Sequence, residues 1–168
     1  MALERFSAAW RGAYIAEATE RERRGGDGTC VFCELAQQEP SIESGVVHRT
    51  ELSFVCLNAY PYGSGHLLVL PLRHLGGLDE LSDAEATNFF ALLRESAAAL
   101  QRAYEPDGMN VGLNLGRAGG AGLPDHLHAH VLPRWNGDTN FMTAIAETRV
   151  LPEALQTTWG KVVASWPA

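Results

Sequence analysis

The chain has 168 residues, with 20 Asp and Glu against 13 Lys and Arg, for a formal net charge of −7. That length predicts one domain around a single core, and the acidic balance disfavours a protein that tracks a nucleic-acid polymer through a basic face. The N-terminal MALERFSAAWRGAYIAEATERERRGG is too charged for a signal-peptide core, and no later apolar run approaches the ~20 residues of a membrane span, so a cytoplasmic protein without membrane contact is expected.

Residues 3–24 predict a helix with Phe6, Trp10, Ala13, Tyr14 and Ala18 on one stripe, ended by the glycines of GGDG at 25–28. We read 1–28 as a helical extension and 29–168 as the domain proper. Cys30-Val-Phe-Cys33 follows. Three cysteines make no disulfide framework, and in a reducing compartment this spacing reads first as half of a metal site, against the alternative of an unmetallated surface pair. Residues 45–48 and 53–57 predict a β-hairpin, with Cys56 a buried, inert thiol and His48 a surface strand residue. After the loop NAYPYGSG, the run HLLVLPL at 66–72 reads as a central strand buried on both faces, with Pro71 at its end.

A long helix is expected over 82–104. Ser82 and Glu85 fit a capping box, and Ala86, Phe89, Phe90, Leu93, Ala97, Leu100 and Tyr104 repeat at helical spacing. MNVGLNL at 109–115 and HLHAHVL at 126–132 predict two further strands joined by the glycine-rich GRAGGAGLPD, and an amphipathic segment at 152–166 closes the chain. The fold class is α+β: a mainly antiparallel sheet with one long helix and terminal helices.

His126, His128 and His130 occupy alternate positions, so a strand would turn all three to one face, spaced about 7 Å apart, with Leu127, Ala129 and Val131 on the other. Imidazole can be a nucleophile, a general acid or base, or a metal ligand, and the residues alone leave those three roles open. The neighbouring GRAGGAG suits the close approach of backbone N–H groups to phosphate oxygens, while the absence of a following Lys-Ser/Thr excludes a P-loop.

His-Leu-His-Ala-His-Val-Leu resembles the signature of the histidine triad (HIT) family, as do Leu57-Asn58-Ala59-Tyr60-Pro61-Tyr62, the run from Gly65 to Pro71 and Asn110-Val111-Gly112-Leu113-Asn114-Leu115-Gly116, in the family's order. The resemblance spans roughly 28–145 and is nearest to the branch of Fhit-like hydrolases and bacterial diadenosine tetraphosphate phosphorylases. It implies a HIT-like fold and cleavage of dinucleoside polyphosphates or related nucleotide esters at the α-phosphorus through a covalent nucleotidyl-histidine. On it, His128 is the nucleophile, His130 donates to phosphate oxygens or the leaving group, and His66 supports both. Asn114 binds the phosphates, Asn58 lies by the ribose and Gly120 gives a backbone donor.

Some bacterial members complete a Cys pair with two histidines that correspond to His74 and His126, so the resemblance also implies a structural zinc on Cys30, Cys33, His74 and His126, with no organic cofactor. It implies a homodimer as well. Trp135 and Asn140-Phe141 lean toward phosphorolysis rather than hydrolysis. Two competing readings are a nucleotide-binding sensor with incidental turnover, and a catalytic zinc held by all three triad histidines.

Overall fold

The computed structural model describes residues 30–138 and 153–167. The helix expected at 3–24 and Asn140-Phe141 lie outside the described residues. Among those described, a short helix α1 (Val31–Leu35) precedes the hairpin β1 (Val46–Arg49) and β2 (Ser53–Leu57), followed by β3 (Leu67–Pro71), a 3-10 turn (Leu78–Glu80), the long helix α2 (Asp83–Tyr104), β4 (Gly108–Leu113), β5 (Ala129–Arg134) and α3 (Leu155–Ala164). The strands form one antiparallel sheet in the order β1-β2-β3-β5-β4. The α+β expectation therefore holds, and the apolar 66–72 run supplies the central strand β3, whose five residues are all buried.

Alternation along the strands sorts the apolar residues into two cores. Val55, Leu67, Val69, Ala129 and Val131 pack against Phe89, Leu92, Leu93 and Leu100 of α2, joined by Val162 of α3. Phe54, Cys56, Leu68 and Leu70 face the other way and pack with Phe32 and Ala36 from the α1 region. The register pairs Cys56 with Leu68 and Leu68 with His130, so His130 projects on this second face, beside the cysteine knuckle.

α2 begins as expected. The Ser82 hydroxyl accepts from the Glu85 N–H at 3.3 Å, and the Glu85 carboxylate accepts from the Ser82 N–H at 2.9 Å. Its buried stripe differs from the expected one: Phe90 is 56% exposed, whereas Leu92, Ser96 and Ala99 are buried. The sheet crosses under the helix nearer to the Phe89–Leu92–Ser96–Ala99 line, so Phe90, next in sequence to Phe89, is rotated about 100° towards solvent. His48 is also not a bare surface residue. A β-bulge between Val46 and His48 turns it to the α2 face, where it stacks on Trp166 at 4.8 Å and burial lowers its pKa.

The strand expected at 126–132 is shifted. β5 starts at Ala129, where the ladders on both sides stop: its partners there are Val69 on β3 and Leu113, the last residue of β4. The Pro71 carbonyl accepts from the His126 ring. His126 and His128 therefore lie on the approach to the strand, held by a Leu127 N–H bond to the Leu75 carbonyl at 2.6 Å.

Candidate functional site

At the junction of β3, β5 and the loops that adjoin them, five histidines gather in two groups. In the first, His66 Nε2 lies 2.9 Å from His130 Nδ1, and their rings are 5.1 Å apart. The Tyr62 backbone N–H meets His66 Nδ1 at 3.0 Å, with the Asn58 amide at 3.3 Å. A backbone N–H can only donate, so His66 Nδ1 accepts and the ring proton sits on Nε2, from which it is donated to His130 Nδ1. His130 in turn carries its proton on Nε2. That atom lies 3.3 Å from the Asn114 side-chain amide, so the imidazole N–H and the amide sit side by side as one polar pair. Burial, and then the neighbouring His128, push the His130 pKa down to about 4, so the ring is neutral at pH 7.

His128 stands beside this pair, its ring 5.2 Å from that of His130. It is buried, and its Nδ1 lies 2.8 Å from the carbonyl oxygen of His126. A carbonyl only accepts, so Nδ1 carries the proton and Nε2 keeps its lone pair. Burial lowers the pKa of His128 and favours this neutral form. The result is an imidazole with a lone pair on Nε2, a group of the kind that can act as a nucleophile.

The second group is Cys30, Cys33, His74 and His126, whose donor atoms lie within 4.8 Å of one another. Cys30 Sγ is 3.4 Å from His126 Nδ1, and Cys33 Sγ is 3.3 Å from His74 Nδ1 and 3.6 Å from His126 Nδ1. A tetrahedral ion with bonds of the usual length to sulfur and nitrogen has S–N edges of about 3.6 Å, so the donor set fits. His126 Nε2 donates to the Pro71 carbonyl at 3.0 Å, which leaves Nδ1 as the ligand atom and fixes the ring plane. The loop bearing His74 is braced separately: Arg73 binds both carboxylate oxygens of Glu85 at 2.8 Å, and Glu80 accepts from the Gly76 and Gly77 N–H groups. The four residues can hold a metal ion. The three triad histidines do not form a metal cluster among the described residues: His126 turns to the cysteines, His128 is tied to backbone and His130 pairs with His66.

The HIT domain family model matches residues 39–137, more than half of the chain. This chain belongs to the histidine triad family. The HIT protein is 37% identical over 166 residues to an AP-4-A phosphorylase of Mycobacterium tuberculosis, covering 98% of this chain and 85% of that one. It is also 32% identical over 97 residues to an asymmetrical bis(5'-nucleosyl)-tetraphosphatase of Schizosaccharomyces pombe, covering 58% of this chain and 53% of that one. Among solved structures, a Zn-bound histidine triad family protein from Mycobacterium smegmatis superposes with a TM-score of 0.66 at 27% identity, covering 83% of this chain and 94% of that one.

Within this HIT site, His66, His128 and His130 come together, and so do Cys30, Cys33, His74 and His126. Asn114 reaches His130. Asn58 contacts the His66 ring, and its oxygen closes a turn with the Tyr60 N–H. Gly120 differs: it adopts φ 91°, and its N–H donates to the Arg117 carbonyl at 3.0 Å, so a turn within the loop already takes up the donor expected there. Two aromatic residues escaped the sequence reading. Tyr62 lays its ring over His66 at 4.6 Å and stacks on His130 at 5.6 Å. Phe32 packs against both His126 and His128, at 5.6 and 5.3 Å. Phe32 stands inside the Cys pair and Tyr62 ends the Leu57–Tyr62 motif, but neither position by itself marks a ring that packs on a histidine.

Proposed function

We propose that this HIT protein is a nucleotidyl-transferring enzyme that cleaves dinucleoside polyphosphates such as diadenosine tetraphosphate, or related nucleotide esters, at the α-phosphorus through a covalent nucleotidyl-His128. The observation that carries this is the His128 Nδ1–H bond to the His126 carbonyl, which leaves Nε2 unprotonated beside the His130–Asn114 pair. In the first step Nε2 attacks phosphorus in line, the N–P bond forms, and the P–O bond to the departing polyphosphate breaks. His130 Nε2–H and the Asn114 amide donate to the oxygens on which charge grows, and His66 holds His130 in the tautomer that can do so. In the second step an acceptor oxygen attacks, the N–P bond breaks and His128 is regenerated.

Cys30, Cys33, His74 and His126 would hold a structural zinc, a reading supported by the thiolate-imidazole donor set and the His126–Pro71 bond. Such an ion would pin the knuckle to the approach of β5. The resemblance to the family implies a homodimer. It is supported by the outer side of β4, which has no strand partner among the described residues, and by the exposed Val111 and Phe90.

The 37% identity to an AP-4-A phosphorylase across nearly the whole chain favours a second reading in which inorganic phosphate is the acceptor. Incubation with diadenosine tetraphosphate separates the two. ATP and AMP without added phosphate indicate hydrolysis, and ATP and ADP only when phosphate is present indicate phosphorolysis. Two ADP molecules formed without phosphate, or no cleavage in either arm, would contradict attack at the α-phosphorus.

A further inference from the structure

Resting on the nucleotidyl-histidine reading, we propose that Phe32 is a positioning residue for His128 and that the cysteine knuckle serves the reaction through it. Among the described residues a single hydrogen bond, Nδ1–H to the His126 carbonyl, holds the His128 ring, and it leaves the ring free to tilt about the Nδ1···O direction. In-line attack requires Nε2 to keep its aim. Among the described residues two rings flank it: His130 at 5.2 Å and 74°, and Phe32 at 5.3 Å and 50°.

Phe32 is well placed to be such a stop. It is buried and rooted among Val46, Phe54 and Leu68. It lies between Cys30 and Cys33, so residues that can hold a metal flank its backbone on both sides, and its ring also meets His126 edge-on at 5.6 Å and 78°. His126 is at once a member of that cluster, the ring that Phe32 touches and the carbonyl that fixes the His128 tautomer. Drawing the four donors together therefore presses on His128 along two routes, the backbone of His126 and the ring of Phe32.

An ordinary core role would make any apolar residue at 32 adequate, whereas a positioning role requires the flat ring. The test is Phe32→Leu in the full-length, metal-loaded protein. We expect unchanged metal content, a folded circular-dichroism spectrum and unchanged nucleotide affinity. The single-turnover rate of adduct formation should fall on the order of 10- to 100-fold, and the ¹⁵N signals of His128 should move away from a pure Nδ1–H tautomer. Parent protein stripped of metal by a chelator should show the same displacement of the His128 signals. Adduct formation at the parental rate with unmoved His128 signals in Phe32→Leu overturns the positioning role, and unmoved signals in the chelated parent overturn the link to the knuckle. If the parent forms no adduct at all, the nucleotidyl-histidine reading fails by itself, and the ¹⁵N comparison still decides whether Phe32 and the knuckle set the ring.

Discussion

His130 illustrates how much a single tautomer decides. Its Nδ1 is occupied by the His66 N–H, so its one proton sits on Nε2, beside the Asn114 amide. Replacing His130 with Ala should slow adduct formation by about 10²–10³-fold, the usual cost of losing one donor to a developing anion, while nucleotide affinity changes little. Rapid-quench measurement of the adduct checks this. The same residue makes a stability prediction. Its pKa is about 4 in the folded chain against 6.5 for a free imidazole, so the unfolded chain binds the proton more readily. Above about pH 6.5 the group is neutral in both states and exerts no penalty. Stability is then lost as pH falls from 6.5 towards 4. Urea midpoints at pH 7.5 and 5 should show a decline that is smaller in His130→Asn, and an equal decline would contradict this assignment. Gly65, next to His66, adopts φ +76°, and a Cβ there would sit 2.8 Å from Pro133 and 3.1 Å from the Tyr104 ring. Gly65→Ala should cost about 1–3 kcal/mol in urea unfolding through strain at a left-handed position.

The elements explain why some of this was legible and some was not. The alternation His-x-His-x-His correctly marked a shared chemical face, and α2 announced itself through Ser82, Glu85 and its periodicity. The start of β5 was misplaced because strand pairing depends on the partner. The ladders on both sides stop at Ala129, opposite Val69 and Leu113, and nothing within 126–132 records that. Backbone partners were equally hidden: the Tyr62 N–H, the His126 carbonyl and the Pro71 carbonyl fix three ring orientations, and main-chain atoms carry no residue-specific signature. The α1 knuckle makes its own prediction. If Cys30, Cys33, His74 and His126 hold a structural ion, chelation should lower the melting temperature and erode turnover gradually as the knuckle loosens. An instantaneous and complete loss, with the fold intact by circular dichroism, would instead point to an ion that takes part in the chemistry.

At the scale of the whole molecule, one sheet separates two tasks. The α2 face holds the larger core, and the opposite face carries the histidines above a smaller core rooted in the cysteine knuckle. Family membership and the order of the motifs were readable from the chain because they rest on side-chain identities. The choice of acceptor was not, because water and phosphate would approach the same phosphorus. Size-exclusion chromatography with light scattering should give twice the chain mass if the outer edge of β4 pairs with a second copy, and Val111→Lys should shift the mass towards the monomer. The central claim is the covalent bond to His128, and intact-mass analysis of protein quenched during turnover of diadenosine tetraphosphate tests it most directly. We expect the parent to gain the mass of one nucleoside monophosphate on the peptide bearing His128, and His128→Asn to bind nucleotide yet gain nothing and turn nothing over. Turnover by His128→Asn at the parental rate, or an adduct on another residue, would contradict it.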